Sequence, residues 1–169
     1  MAFTLNANEF LAIAEEIMRN GAVFYGHLAE YAAHTESKTV LLELTEMQLL
    51  RQESFADMRS SLTEEQKSTT HFHPGTDEWI YISGFVDKHV YDISRDPCEI
   101  ISNEWQPVHM LKAAADIEKD SLIFFLELQQ LVLSRDRCDL IDKVIRQQLN
   151  ILFWLSDRIG LLKESLQRV

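Results

Sequence analysis

The stretch of residues 41–53 reads Leu41-Leu42-Glu43-Leu44-Thr45-Glu46-Met47-Gln48-Leu49-Leu50-Arg51-Gln52-Glu53. It contains no Gly or Pro and a single β-branched residue, so its composition favours an α-helix. Helical spacing predicts an inward face formed by Leu42, Glu46, Leu49, Glu53 and Ala56. Residues 144–151 repeat this pattern, with Gln148 one turn before Ile151.

Helical periodicity continues on both sides of the two stretches. It predicts four long helices, at about residues 8–34, 37–60, 108–133 and 137–164. The connections near Thr35 and Asp136 are short, which makes the helices antiparallel within each pair. A crossover from residue 62 to 107 joins the pairs, and its helix-start signals predict short helices. We therefore predict one domain, residues 1–169: an all-α, ferritin-like four-helix bundle of two antiparallel hairpins and a long crossover.

Composition excludes several classes of partner. The formal charge of −11 and the lack of a basic stripe make nucleic acid and anionic membranes poor partners. No apolar run is long enough to span a bilayer, and the N-terminus lacks a signal-peptide charge pattern. Cys98 and Cys138 form no Cys-x-x-Cys pair and are interpreted as reduced thiols. These features predict a cytoplasmic protein.

Polar residues interrupt the predicted apolar faces near the middle of the helices. Di-iron carboxylate bundles use one Glu from each of two helices and Glu-x-x-His from each of the other two. The spacing of three residues puts Glu and His on one helix face, where the carboxylates bridge the irons. The mid-helix residues here are Met18, Glu46 with Leu49, Glu118, and Gln148 with Ile151.

The order of these stretches resembles the rubrerythrin-like branch of the ferritin-like superfamily, from about Asn8 to Leu162. The resemblance is carried by Arg19-Asn20-Gly21-Ala22-Val23-Phe24-Tyr25, by Leu44-Thr45-Glu46-Met47, and by Ile117-Glu118-Lys119-Asp120-Ser121-Leu122-Ile123-Phe124-Phe125. The fourth helix matches in frame only. The resemblance implies a ferritin-like fold with a di-iron centre between the helices.

This chain departs from the ligand set that the resemblance implies. Glu46 and Glu118 are retained as metal-ligand positions. The family places carboxylates or histidines where this chain has Met18, Leu49, Gln148 and Ile151, so we predict a degenerate di-iron site. Two buried carboxylates without a metal need hydrogen-bond donors. Gln148 is the expected partner of Glu46, and Tyr25 is a second candidate donor in the core.

The crossover carries two further candidate features. His71 and His73 are two residues apart in a loop, and we interpret them as solvated rather than as metal ligands. The crossover aromatics are expected to pack on the bundle or on a second subunit; they are Trp79, Tyr81, Phe85 and Tyr91.

The resulting functional hypothesis is a non-enzymatic binding or interaction protein, with a homodimer expected and no cofactor. The alternative is a metal-dependent, di-iron-type oxidoreductase or iron-binding protein with an unusual ligand set. A weaker alternative is a carrier that holds a small apolar ligand in a slot lined by Met18, Leu49 and Ile151.

Overall fold

The computed structural model describes residues 4–67, 80, 84, 90–92, 94, 96, 99, 106–132 and 139–167. Within this part of the chain it has the helices α1 (Ala7–Tyr31), α2 (Thr35–Ser60), α3 (Glu64–Lys67), α4 (Pro107–Leu131) and α5 (Asp139–Gln167). The predicted all-α architecture of two hairpins and a crossover is confirmed, and each long helix begins and ends within three residues of its predicted bounds. Several predictions fall outside the described residues; they concern His71, His73, Trp79, Tyr81, Phe85, Cys98 and Cys138.

Local signals in the sequence explain where the helices begin. The Asn6 side chain accepts from the Glu9 amide at 2.8 Å, and the Glu9 carboxylate accepts from the Asn6 amide at 2.9 Å. This reciprocal cap satisfies two of the free amides at the start of α1. The Leu5 amide then donates to the Leu131 carbonyl at 2.8 Å, which fixes the start of α1 against the end of α4.

The four long helices are antiparallel to their neighbours around the bundle. In the first hairpin α1 runs against α2, and in the second α4 runs against α5. The hairpins also meet antiparallel, with α1 on α4 and α2 on α5, which leaves α2 and α4 parallel across the bundle. The pairs that set this register are Glu15 with Arg59, Phe10 with Phe125, Glu43 with Arg158, and Gln129 with Asp142.

The buried face of α2 differs from the one predicted. Leu42, Glu46, Leu49 and Glu53 are exposed, so their assignment to the core is wrong. The buried positions are Leu41, Leu44, Gln48, Arg51 and Phe55. Both sets have helical spacing, but the buried one contains an arginine and a glutamine, which usually avoid a core. The prediction chose the wrong face of α2 because the true inner face contains polar Gln48 and Arg51.

None of the helices in the described residues combines the length and the hydropathy that a membrane crossing needs.

Candidate functional site

Glu118 is the centre of a buried polar cluster between the two hairpins. Its side chain is 0% exposed, and α4 directs it toward α1 and α2. Its Oε1 accepts hydrogen bonds from the Tyr25 hydroxyl at 2.7 Å and from Gln48 Nε2 at 2.8 Å. The Tyr91 hydroxyl, from the crossover, donates to the same oxygen at 2.9 Å. Oε2 accepts from Gln148 Nε2 at 2.7 Å. The carboxylate thus has donors on both oxygens, which lowers the free-energy penalty of its burial.

Arg51 supplies the positive charge in this cluster. Its Nη1 lies 4.0 Å from Glu118 Oε2, and the guanidinium also packs on the Phe55 ring, 5.5 Å from the ring centroid. Arg51 donates to the side-chain oxygens of Gln48, at 3.2 Å, and of Gln148. One buried cation and one buried anion leave the cluster neutral.

Gln48 and Gln148 bridge Arg51 and Glu118 by hydrogen bonds. Each amide oxygen accepts from the guanidinium, and each amide nitrogen donates to the carboxylate. A glutamate at either position could accept from Arg51 but would repel Glu118. The geometry therefore explains why both positions carry an amide in this chain.

Burial and charge perturb the ionisable neighbours of Glu118. Burial, and then the negative charge of Glu118, raise the pKa of Tyr25 and of Tyr91 well above the usual value for a phenol. Both hydroxyls therefore stay protonated and act as donors at neutral pH. Burial lowers the pKa of Arg51, and the Glu118 charge opposes that shift. An arginine retains its charge under these conditions because its reference pKa is so high.

Gly21 explains how a crossover tyrosine reaches the centre of the bundle. A Cβ atom on Gly21 would lie 3.0 Å from Tyr91 Cζ and 3.1 Å from Gln48 Cδ. Gly21 thus faces Gln48 across the first hairpin, as Glu118 faces Gln148 across the second. By this register Gly21 is the counterpart of Glu118, so the predicted placement of that ligand position at Met18, one turn earlier, is wrong. The Tyr91 ring fills the space that a longer side chain at Gly21 would need.

The predicted site residues fall into two groups, one buried in the bundle and one exposed on α2. Tyr25, Gln148 and Glu118 lie in the cluster, and Met18 and Ile151 are buried in the core. Glu46 is exposed and Leu49 is 48% exposed on the outer side of α2, so the expected pairing of Glu46 with Gln148 is wrong.

Sequence reasoning missed Gln48 and Arg51. The available signal was a symmetry between the hairpins: Gln48-x-x-Arg51 in α2 matches Gln148-x-x-Ile151 in α5. Both pairs have the spacing of a Glu-x-x-His motif. The expectation that Tyr91 packs on the bundle is confirmed, but its hydrogen bond to Glu118 was not predicted. Nothing in the sequence marked Tyr91 among the crossover aromatics, because its role depends on the space above Gly21.

The donor set at this centre does not fit a di-iron carboxylate site. Such a site uses four carboxylates and two imidazoles, all of which bind cations. Here Glu118 is joined by two amides and by a guanidinium that would repel a metal ion. No group of three or more His, Cys, Asp or Glu side chains with metal-binding geometry occurs among the residues described.

A separate surface cleft of about 360 Å³ lies at the end of the bundle, where α2 begins and α5 ends. Its lining differs from the slot predicted at Met18, Leu49 and Ile151, since it contains none of them. The lining residues are Thr35, Glu36, Thr39, Val40, Pro107, Arg158, Leu161, Leu162 and Ser165.

Comparisons with known proteins support the fold. A solved structure from Thermotoga maritima, described as a ferritin-like diiron-carboxylate protein, superposes with a TM-score of 0.56. The match covers 95% of this chain and 98% of that one at 22% sequence identity, a level at which the likeness shows the ferritin-like fold alone. No protein-family model matches the chain, and no curated protein matches it.

Proposed function

We propose that this chain is a ferritin-like bundle in which a metal-independent polar cluster has replaced the di-iron centre. It would act as a non-enzymatic binding or interaction protein. The observation that carries the proposal is Arg51, whose guanidinium lies 4.0 Å from the Glu118 carboxylate. A cation provided by the chain itself compensates the buried carboxylate, the task that iron performs in a di-iron site.

The geometry favours this function over iron chemistry for two reasons. A metal ion near Glu118 would have to displace Arg51 or approach it closely, at a large electrostatic penalty. The amides and phenols already use both carboxylate oxygens. The oxidoreductase or iron-binding protein with an unusual ligand set remains the alternative that the same experiment tests. The rubrerythrin-like assignment and the homodimer stay predictions.

The test is iron loading and iron oxidation. Protein from iron-rich culture is incubated with Fe(II) under anaerobic conditions, desalted, and assayed for iron per chain and for peroxide-dependent Fe(II) oxidation. We expect no stoichiometric iron and no oxidation above the protein-free rate. About two irons per chain, or catalysed oxidation, would contradict the proposal.

A donor-restored variant serves as the matched positive control. It carries Gln48→Glu, Arg51→His, Gln148→Glu and Ile151→His, and it keeps Glu118. This set provides five of the six ligands of a di-iron carboxylate bundle. We expect the variant to gain iron relative to the parent, which would show that the scaffold and the assay are competent to bind and detect the metal.

A further inference from the structure

The outer side of α2 carries an exposed stripe that the buried cluster does not use. The stripe consists of Leu42, Glu46, Leu49 and Glu53, spaced so that they form one face of the helix. Leu42 is 49% exposed and Leu49 is 48% exposed, and both carboxylates are exposed. Leu50, beside the stripe, is 58% exposed. The inner face of the same helix carries polar Gln48 and Arg51 in addition to Leu41 and Leu44.

Placing leucines on the solvent side needs an explanation beyond the fold. An exposed leucine contributes little to the folded state, whereas two leucines a heptad apart offer about two turns of apolar contact to a partner helix. Interaction surfaces commonly combine half-exposed apolar side chains with a charged rim.

The charges on the stripe select the partner. No described Lys, Arg or His side chain lies within 4.0 Å of the Glu46 or Glu53 carboxylate, whereas Glu15, Glu43 and Glu118 each have an arginine partner. The whole chain has a formal charge of −11, which adds a long-range attraction for a cationic partner. A partner with cationic side chains would complement both carboxylates.

A second copy of the chain fits this stripe poorly. Glu46 lies between Leu42 and Leu49, so a two-fold contact centred on the leucines would bring the two Glu46 carboxylates together. Like charges in such a contact oppose association. We propose that the outer stripe of α2 docks a basic amphipathic helix of a partner protein, with leucine-type anchors flanked by Lys or Arg. This inference deepens the interaction role proposed above and rests on it.

The test titrates the full-length protein with a synthetic amphipathic peptide of lysine and leucine, about 18 residues long so that it can form a helix. Binding is followed by fluorescence anisotropy at low salt. One control peptide has glutamate in place of lysine, and another has serine in place of leucine. We expect saturable binding of the lysine–leucine peptide only, weakened by added salt.

Matched variants locate the binding site. Leu42→Ser with Leu49→Ser should weaken binding about tenfold, as expected for losing part of two apolar anchors. Glu46→Gln with Glu53→Gln should weaken it several-fold at low salt. The apolar control, Ile123→Ser with Leu126→Ser, changes exposed residues of α4. The charge control, Asp120→Asn with Glu127→Gln, removes two exposed α4 carboxylates seven residues apart. Neither control should change the Kd more than about twofold.

Several outcomes would overturn the proposal. The proposal is wrong if the lysine–leucine peptide shows no saturable binding, or if the α2 and α4 variants weaken its binding equally. It is also wrong if the acidic peptide binds equally well. Sedimentation of the unliganded chain can also contradict the proposal. If the chain is a dimer that becomes monomeric on Leu42→Ser with Leu49→Ser, the stripe binds a second copy of the chain. All variants alter exposed side chains, so unchanged circular dichroism and Tm confirm that folding is intact. Iron loading measures a different region, so failure of the docking proposal and failure of the metal-free proposal are distinguishable.

Discussion

The two hairpins contribute opposite charges to the buried cluster. The first hairpin provides Arg51 and Gln48 and has Gly21 where the second has a carboxylate. The second hairpin provides Glu118 and Gln148 and has Ile151 where the first has its arginine. Because the cation lies on one hairpin and the anion on the other, the cluster is neutral only when the hairpins are packed together. The polar centre therefore couples the two halves of the bundle.

The largest effect is expected from removing the cation. Arg51→Met should destabilise the fold by about 3–5 kcal/mol, because it leaves Glu118 buried without a counter-charge. Chemical denaturation with a linear extrapolation to water measures the change.

A double-mutant cycle separates the charge pair from the packing around it. Glu118→Gln in the Arg51→Met background should restore part of the lost stability, since no buried ion then remains. If the loss in free energy of unfolding for the double variant equalled the sum of the losses for Arg51→Met and Glu118→Gln, Arg51 and Glu118 would be energetically independent. The proposed charge coupling would then be wrong.

The next effect concerns the crossover. Tyr91→Phe removes the donor that lies 2.9 Å from Glu118 Oε1 and should destabilise the fold by about 1.5–3 kcal/mol. Tyr31→Phe is the matched control, because Tyr31 is 49% exposed. Thermal melts of both variants suffice; equal Tm values for them would show that Tyr91 contributes packing but no useful hydrogen bond.

A smaller effect tests the close approach at Gly21. Gly21→Ala should destabilise by about 1–2 kcal/mol, because the new Cβ would lie 3.0 Å from Tyr91 Cζ. Gly26→Ala on the same helix meets only Thr45 Cγ2, at 3.9 Å. That control should stabilise by up to about 1 kcal/mol, since alanine is the better helix former. A stabilising Gly21→Ala would mean that Tyr91 is not seated against Gly21.

The smallest effect is a loss of stability at alkaline pH. Tyr25 and Tyr91 have folded pKa values above the usual 10.0, mainly because they are buried. Below pH 10 the folded and unfolded chains hold the same phenolic protons. Above it the unfolded chain loses protons that the folded chain keeps, so stability falls as pH rises. Ultraviolet titration should show at least two of the four tyrosines ionising only on unfolding. Four freely titrating tyrosines would be inconsistent with the cluster.

The sequence was sufficient to predict the architecture and insufficient to predict the centre. Helix bounds follow from local signals, such as the Asn6–Glu9 cap and Pro107 at the start of α4, which need no tertiary information. Glu118 was correctly predicted to be buried, because it lies on a continuous apolar stripe of its helix.

The inner face of α2 could not be chosen in the same way. Its two stripes have the same period, and each contains two leucines: Leu42 and Leu49 lie outside, and Leu41 and Leu44 lie inside. Only the partners of Gln48 and Arg51 on the other hairpin make their burial favourable. The role of Tyr91 was harder to predict, because its contact with Gly21 joins two residues that are far apart in the chain.

Anomalous diffraction at the iron edge, from crystals grown with Fe(II), shows whether Arg51 or a metal ion lies beside Glu118. We expect guanidinium density from Arg51 beside Glu118 and Gln148, and no anomalous peak within coordination distance of the Glu118 carboxylate. A peak of stoichiometric occupancy there, with Arg51 displaced, would contradict the claim that the chain provides its own cation in place of the metal.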